Sequence, residues 1–447
     1  MAIVTSAPPG MRDFLPAAVA RRRFVMEQIR EVYRLHGFVP LETPSMERLE
    51  VLLGKYGEEG DQLIFRVMKR GEALTRAVED GGKELADFGL RYELTVPLAR
   101  VVAEHASSLP RPFKRYQMQP VWRADRPQRG RLREFYQCDV DFVGSRSLVA
   151  EYEVISAVTG ALGALGFTDF RVRVNERRIL SGLVELLGLP AEQGIAVITV
   201  IDKLDKIGLE GVQRELASLG FGAEAWELLS SLLKPGVTLA EVAAAFAGRS
   251  PSGEAGCANL EALFALLGRA PLATGGVDFD LSLARGLSYY TGPIFEIALP
   301  DLAGSVGGGG RYDGLIGMFG KEEIPAVGFA LGFERIMLIM EERGMFPELA
   351  EGADLMVSQL DRAPEALAAV LAFAKLARSA GISVEVYPEV AKLPKQFKHA
   401  ESIGAPMVAI LGLREAESQT VGLRRMGTGE QVTLPWSEAI ATLKGRG

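Results

Sequence analysis

Arginine, carboxylate, amide and aromatic side chains are gathered in one stretch of this chain, in an order suited to a polar pocket beside a phosphate-binding loop. Residues 112–144 read PFKRYQMQPVWRADRPQRGRLREFYQCDVDFVG. In its second half, Arg133, Phe135, Gln137, Asp139 and Asp141 recur at alternate positions, with Tyr136, Cys138, Val140 and Phe142 between them. An extended strand sends these two sets to opposite faces. A face of Arg, aromatic, amide and carboxylate groups suits a pocket floor, but a half-solvated antiparallel strand shows the same alternation, and the pattern alone leaves both readings open. From Arg111 to Arg133, eight Lys/Arg face a single acid, Asp125, in a chain whose net charge is −7. A local basic patch on an acidic protein points to a focused anion site, for the phosphates of a nucleotide, of RNA, or of both. Tyr116, Trp122, Phe135 and Tyr136 interleave with these charges, which a plain solvated charge run lacks.

Other chemistries are excluded by what is scarce. The histidines are three, His36, His105 and His399, far apart and never in a His-x-x-x-His pattern. A zinc hydrolase or a His-based nucleophilic triad is therefore not expected. Two cysteines, Cys138 and Cys257, cannot build a disulfide framework or a four-thiolate zinc site. The chemistry must rest on Arg, Glu/Asp, Tyr and Gln, with no metal held by protein side chains alone. The chain has 447 residues, 48% hydrophobic and 24% charged, the profile of a soluble globular protein with several domains. No apolar run is long enough for a membrane, and MAIVTSAPPGMRDFLP lacks the layout of a secretory signal, so a cytoplasmic protein with no membrane partner is expected.

The elements that must position these residues follow from spacing. Residues 17–36 read as a helix with Val25, Ile29, Val32 and Tyr33 on one face and Gly37 as its stop. GFVPLETPSMERLEVLL carries Pro40 and Pro44, which confine a strand to an edge or an interface. LIFRV (63–67) reads as a short strand and 69–89 as a charged surface excursion. Residues 90–96 read as a strand with Arg91, Glu93 and Thr95 on one face, followed by a helix that starts at Pro97. Residues 151–166 read as a helix, 170–174 as a strand, and 176–270 as a Leu/Ala-rich helical insertion. VDFDLSL (277–283) returns to strand pattern. ARGLSYYTGPIFEI and GSVGGGGRYDGLIGMFG follow it, then a helix near 328–343. Gly307–Gly310 permit close backbone approach, but no Gly-Lys-Ser/Thr follows them and no Gly-x-Gly-x-x-Gly opens a βαβ unit. From about 352, strand and helix alternate in a small α/β domain with a mostly parallel sheet, whose eleven Lys/Arg balance eleven Asp/Glu over 351–447.

Three separated segments, PSMERLE after a proline-bearing strand, the Arg123–loop–Arg133-x-Phe135 hairpin, and GFALGFERIM around Arg335, resemble in order and type the three signature motifs of class II aminoacyl-tRNA synthetases. ARGLSYYTGPIFE and GGGGRYDGLIGMFG are similar to the two motifs peculiar to histidyl-tRNA synthetases, and YELTVPLAR, VWRADRPQRGRLREFYQCDVD and the closing α/β domain agree. The resemblance covers nearly the whole chain. It implies an α+β catalytic domain with a mixed, mainly antiparallel sheet, in two parts at 1–175 and 271–345. A helical insertion at 176–270 and an anticodon-binding-like α/β domain at 350–447 complete the chain.

The implied activity is ligation of L-histidine to tRNA(His) through a histidyl-adenylate, with ATP as its Mg2+ complex and no tightly held cofactor. In that reaction two anions must meet while charge grows on a phosphoryl group, a task for fixed guanidiniums. By the resemblance, Arg123 and Arg285 act at the carboxylate and α-phosphate. Arg335 and Arg131 or Arg133 hold the far phosphates, and Phe135 stacks on adenine with Arg335 over its other side. Glu93, Leu94, Thr95 and Gln137 line the α-amino group, and Asp141 and Tyr290 read the imidazole with Tyr289 in support. Gln128 and Arg129 lie where such loops approach the acceptor end of tRNA. Ser288 departs from the Asp usual at its place, which puts a supporting contact in doubt and leaves the neighbouring Arg285, Tyr289 and Tyr290 intact. A homodimer through the Pro44 segment is also implied. The alternative is a catalytically silent relative serving as regulatory subunit of ATP phosphoribosyltransferase. Such proteins generally lack the C-terminal domain and erode the ARGLSYYTG residues that this chain keeps.

Overall fold

The computed structural model describes residues 3–54, 62–82, 84–284, 289–302, 304–349 and 352–445. The chain divides into two compact units, residues 1–13 with 24–345 and residues 14–23 with 346–447.

The first unit is built on an eight-stranded sheet. In chain order its strands and those of a small companion sheet are β1 (Val39–Pro40), β2 (Met46–Arg48), β3 (Arg66–Met68), β4 (Ala86–Leu90), β5 (Phe113–Trp122) and β6 (Glu134–Val143). They continue with β7 (Arg171–Glu176), β8 (Gly276–Phe279), β9 (Pro293–Ala298), β10 (Ser305–Arg311) and β11 (Ala326–Gly332). The large sheet runs β1-β5-β6-β11-β10-β9-β7-β8. Only its two outermost pairs, β1 with β5 and β7 with β8, are parallel, so it is mixed and mainly antiparallel, as expected. Its apolar face packs on the helix Val149–Ala164. Cys138 and Val140 of β6, Val327 and Leu331 of β11, and Val154, Val158 and Leu162 of that helix are all fully buried, which is where the hydrophobic driving force collects.

The helix Pro16–Leu35 begins on a proline, whose missing N–H would be unpaired there anyway. It buries Val25, Ile29 and Tyr33 and ends at Gly37 with φ 75°. Six helices between Arg177 and Arg269 fill the stretch expected to be helical.

Several expectations are corrected. Residues 69–89 are no mere excursion: they hold the helix Glu72–Glu79 and β4, the middle strand of the three-stranded sheet β2-β4-β3. β4 fits there because Gly89 has no Cβ, which would lie 2.6 Å from Ile64 Cγ2. The strand expected at 63–67 is β3, from Arg66. The strand expected over 90–96 ends at Leu90, and a helix Thr95–Glu104 starts instead. The Glu93 carboxylate accepts the backbone N–H groups of Thr95 and Val96, at 2.7 Å each. Alternation of side chains over six residues is outweighed by that local capping. The helix expected near 328–343 begins at Phe333, because Ala326–Gly332 is β11, inserted between β6 and β10. The strand expected over 277–283 is only β8, after which the Asp280 carboxylate accepts the backbone N–H of Ser282 at 2.9 Å and turns the chain.

The second unit has β12 (Leu355–Val357), β13 (Val384–Val386), β14 (Met407–Ile410), β15 (Thr420–Arg425) and β16 (Gln431–Pro435) in the order β13-β12-β14-β15-β16. β13, β12 and β14 are parallel and the last two pairings antiparallel, so the sheet is half parallel and not mostly so. The closing strand β16 needs only a short hairpin from β15, and that forces antiparallel pairing. Helices Pro364–Ser379, Leu393–Ser402 and Trp436–Lys444 cover it. Phe373 and Trp436 meet with ring centroids 5.5 Å apart, and the Trp436 indole N–H donates to Thr420 O at 3.0 Å. Among the described residues no helix is long and apolar enough to cross a membrane.

Candidate active site

The polar face of the large sheet is a trough whose floor is nearly bare backbone. Strand register sets Gln137, Asp139 and Asp141 of β6 opposite Gly332, Ala330 and Gly328 of β11, and the last two opposite Gly308 and Gly310 of β10. Residues directly opposite in a sheet share a face. No side chain larger than a methyl therefore stands beside the three polar groups on the β11–β10 side. Two of these glycines are required by contact: a Cβ on Gly328 would lie 1.9 Å from Asp141 Oδ1, and one on Gly310 would lie 3.0 Å from Tyr290 Cδ1.

Asp141 is the most constrained group in the trough. Arg115, directly across on β5, is fully buried and sets its Nη2 2.7 Å from Asp141 Oδ2, while the Tyr312 hydroxyl donates to Oδ1. The Arg115 contact is an ion pair without hydrogen-bond alignment. Burial raises the Asp141 carboxyl above its usual range, against the lowering effect of Arg115 and of the Tyr312 hydrogen bond. Tyr289 and Tyr290 stand next to this pair, with rings 4.3 Å apart, hydroxyls 3.0 Å apart, and Tyr289 edge-on to Tyr312 at 6.2 Å. Arg115 and Tyr312 were not among the expected site residues. The register of the hairpin signals the first, and the RYD that follows the glycine run signals the second.

Glu93, Arg123 and Phe135 sit along the same wall. Glu93 is buried, and burial raises its carboxyl despite the two N–H bonds it accepts. Arg123 donates Nε–H to Tyr92 O at 2.8 Å and holds its guanidinium 5.2 Å from the Phe135 ring centroid. Thr95 heads the helix that Glu93 caps. Leu94, at the N-cap of that helix, is wholly buried. Asp139 is raised well above the carboxylate range by burial, with Asp141 and Glu93 adding to the shift and Arg115 and Arg123 opposing it.

The basic loop is folded by its single acid. Arg131 makes two contacts to the Asp125 carboxylate, at 3.1 and 3.0 Å, and Arg133 donates to Asp125 O at 3.0 Å. Gln128 and Arg131 bond each other's backbones at 3.1 and 2.9 Å around Gly130, φ 69°. Gln128 and Arg129 are exposed, and Arg129 pairs with Glu342 of the helix Phe333–Glu342. Arg335 of that helix donates to Ser305 O, and a Cβ on Gly130 would lie 3.9 Å from Arg335 Cγ. Arg285 and Ser288 lie outside the described residues.

Arg91, expected on the pocket face with Glu93 and Thr95, points elsewhere. It is fully buried and donates to Pro120 O (3.0 Å), Pro44 O (3.1 Å), Gln119 Oε1 (3.0 Å) and Thr43 O. It staples the proline-bearing segment to β5. Burial lowers its guanidinium to about 10.

Comparison with known proteins covers both units. Residues 10–336 match the family model for histidyl-tRNA synthetase and residues 354–446 that for an anticodon binding domain. The chain is 43% identical to a protein of Porphyromonas gingivalis named histidine--tRNA ligase, over 96% of this chain and 97% of that one. It is 39% identical to the protein of that name from Christiangramia forsetii, over 99% and 100%. The crystal structure of histidyl-tRNA synthetase from Nostoc sp. PCC 7120 superposes with a TM-score of 0.83 at 30% identity, covering 100% of both chains.

Proposed function

The chain belongs to the histidyl-tRNA synthetase family, and from that premise we propose how its residues divide the work. The reaction is that of a histidine--tRNA ligase. A carboxylate oxygen of histidine attacks the α-phosphorus of ATP and pyrophosphate leaves; a terminal ribose hydroxyl of tRNA(His) then attacks the adenylate carbonyl and AMP leaves.

The observation that carries the assignment is the Asp141 carboxylate, clamped between Arg115 and Tyr312 over the bare Gly328 and beside the Tyr289–Tyr290 pair. Asp141 and Tyr290 read the two imidazole nitrogens, with Tyr289 holding Tyr290 in place. A buried polar pocket of this kind rejects apolar amino acids, because its own groups would be left unpaired. Glu93, Thr95 and Gln137, with the Leu94 backbone, receive the α-ammonium end. Arg123 and Arg285 stabilise the charge that grows at the α-phosphate; a guanidinium already fixed by Tyr92 O needs little reorganisation there. Phe135 offers its ring to adenine. Arg335, with Arg131 or Arg133, takes the far phosphates, which for the loop residues means exchanging Asp125 for phosphate. ATP enters as its magnesium complex. Gln128 and Arg129 on the exposed loop meet the acceptor end of tRNA, and the second unit meets the anticodon. The protein works as a cytoplasmic homodimer through the Pro44 segment, and a stable active monomer in sedimentation would refute that assembly.

Histidine-dependent ATP–pyrophosphate exchange tests the assignment. Exchange with histidine is expected, and Arg285→Ala is expected to slow it by about 10²–10³-fold, as for loss of one preorganised charge stabiliser. No exchange by the wild-type protein overturns the enzyme reading. A loss below about tenfold takes Arg285 out of the chemistry.

A further inference from the structure

Among the described residues, the carboxyl groups of Glu93, Asp139 and Asp141 share the trough with the guanidiniums of Arg115 and Arg123, and their hydrogen bonds are unevenly distributed. Both Glu93 oxygens accept backbone N–H groups. Asp141 Oδ1 accepts from Tyr312, and its Oδ2, which accepts no hydrogen bond, is held by the ion pair with Arg115. Asp139 is different: it is 2% exposed, and its Oδ1 has no hydrogen-bond partner among the described residues. Gln137, two positions earlier on the same face of β6, is 9% exposed and its Oε1 likewise has none. Two buried acceptors without donors, roughly 7 Å apart along the strand by their backbone positions, are costly to fold unless a ligand supplies the protons.

The ligand they call for carries several N–H donors and a positive charge. Glu93 and Asp141 lie close enough to Asp139 to add negative field at its carboxyl, which favours a cation there. Burial already disfavours charge on Asp139, and its carboxylate neighbours disfavour it further; an arriving cation removes that penalty.

We propose that Asp139, paired with Gln137, is a specificity-determining residue that seats the α-ammonium of the amino acid, accepting one N–H on Oδ1 while Gln137 accepts another on Oε1. Glu93, which also caps the helix Thr95–Glu104, adds its charge at the same ammonium. The inference rests on the assignment of this trough to histidine.

Two ligands separate the ends of the substrate: histidinol keeps the imidazole and the ammonium, and 3-(imidazol-4-yl)propionate keeps the imidazole and the carboxylate but has no ammonium. Both are titrated as inhibitors of pyrophosphate exchange by the full-length wild-type protein and by Asp139→Asn. Histidinol inhibition is expected to weaken by about 10–100-fold in the variant, the loss of one hydrogen bond to a charged group. Inhibition by the propionate and the KM for ATP are expected to stay within about twofold. The ligand-free variant is expected to melt at the wild-type temperature or above it, because a buried acceptor without a donor has been made neutral. Equal weakening of both inhibitors, weakening of neither, or a variant that melts lower or fails to fold would overturn the proposal. A wild-type protein without histidine-dependent exchange fails a different claim, the activity itself, and is recognised before any variant is made.

Discussion

Gly328→Ala places one methyl group against the most constrained carboxylate in the trough. The added Cβ would lie 1.9 Å from Asp141 Oδ1, 2.6 Å from its Cγ and 3.2 Å from Val140 O. Carbon atoms in contact keep about 3.5–4.0 Å, so the carboxylate must retreat by about 1 Å or the strand must part. There is no slack in which to retreat, since Arg115 Nη2 stands 2.7 Å from one oxygen and the Tyr312 hydroxyl holds the other. One of these contacts, or the bond to the ligand, is lost. A hydrogen bond to a charged group contributes about 1.5–3 kcal/mol, so kcat/KM for histidine is expected to fall by about 10–150-fold. The fall should be carried by histidine, with the KM for ATP within about twofold of wild type. Stability should drop as well, by at most the roughly 3–5 kcal/mol of a broken buried ion pair. Pyrophosphate exchange at varied histidine and varied ATP, with a melting curve, measures all three quantities. An alanine variant that binds histidine normally and melts like the wild type refutes the placement of Asp141 over β11. One that loses histidine and ATP affinity alike refutes the division of the trough between them.

Two further outcomes follow from burial. Arg91→Met removes a buried fork that satisfies three main-chain carbonyls and Gln119; stability is expected to fall by about 3–5 kcal/mol with these acceptors orphaned. Lysine at this position should recover little of the loss, since a single ammonium cannot span the fork, and full recovery of the melting temperature by Lys would contradict the stapling role. Cys138 and Cys257 are free and buried, and burial, with Glu261 and Glu176 adding, pushes the Cys257 thiol up to about 12. An aromatic disulfide reagent at pH 8 is expected to find no fast thiol in the native protein and two after denaturation; one fast native thiol would contradict the packing.

The amino-acid sequence by itself determined the hairpin, the polar set on its second strand, the long first helix and the alternation of the C-terminal unit. Each is a local signal: period two in 134–143, apolar residues four apart at Val25, Ile29 and Tyr33, glycine at the helix stop. It also carried the motifs that mark the family. Local pattern failed where distant chain decided the outcome. Residues 90–96 alternate like a strand, yet Glu93 turns back to cap a helix and Arg91 turns away to hold Pro44 and Pro120. Residues 328–332 read as the start of a helix, yet they belong to β11, which fills the slot between β6 and β10 with glycine under the Asp141 carboxylate at 328 and against the β10 backbone at 332. Arg115 and Tyr312 were invisible as site residues for the same reason. They are 26 and 171 positions from Asp141 in sequence, and only cross-strand register and the return of β10 bring them to it. Which of three neighbouring carboxyls keeps an oxygen for a ligand is likewise decided by tertiary structure alone, because a hydrogen-bond partner is a matter of distance in space and the sequence records only order along the chain.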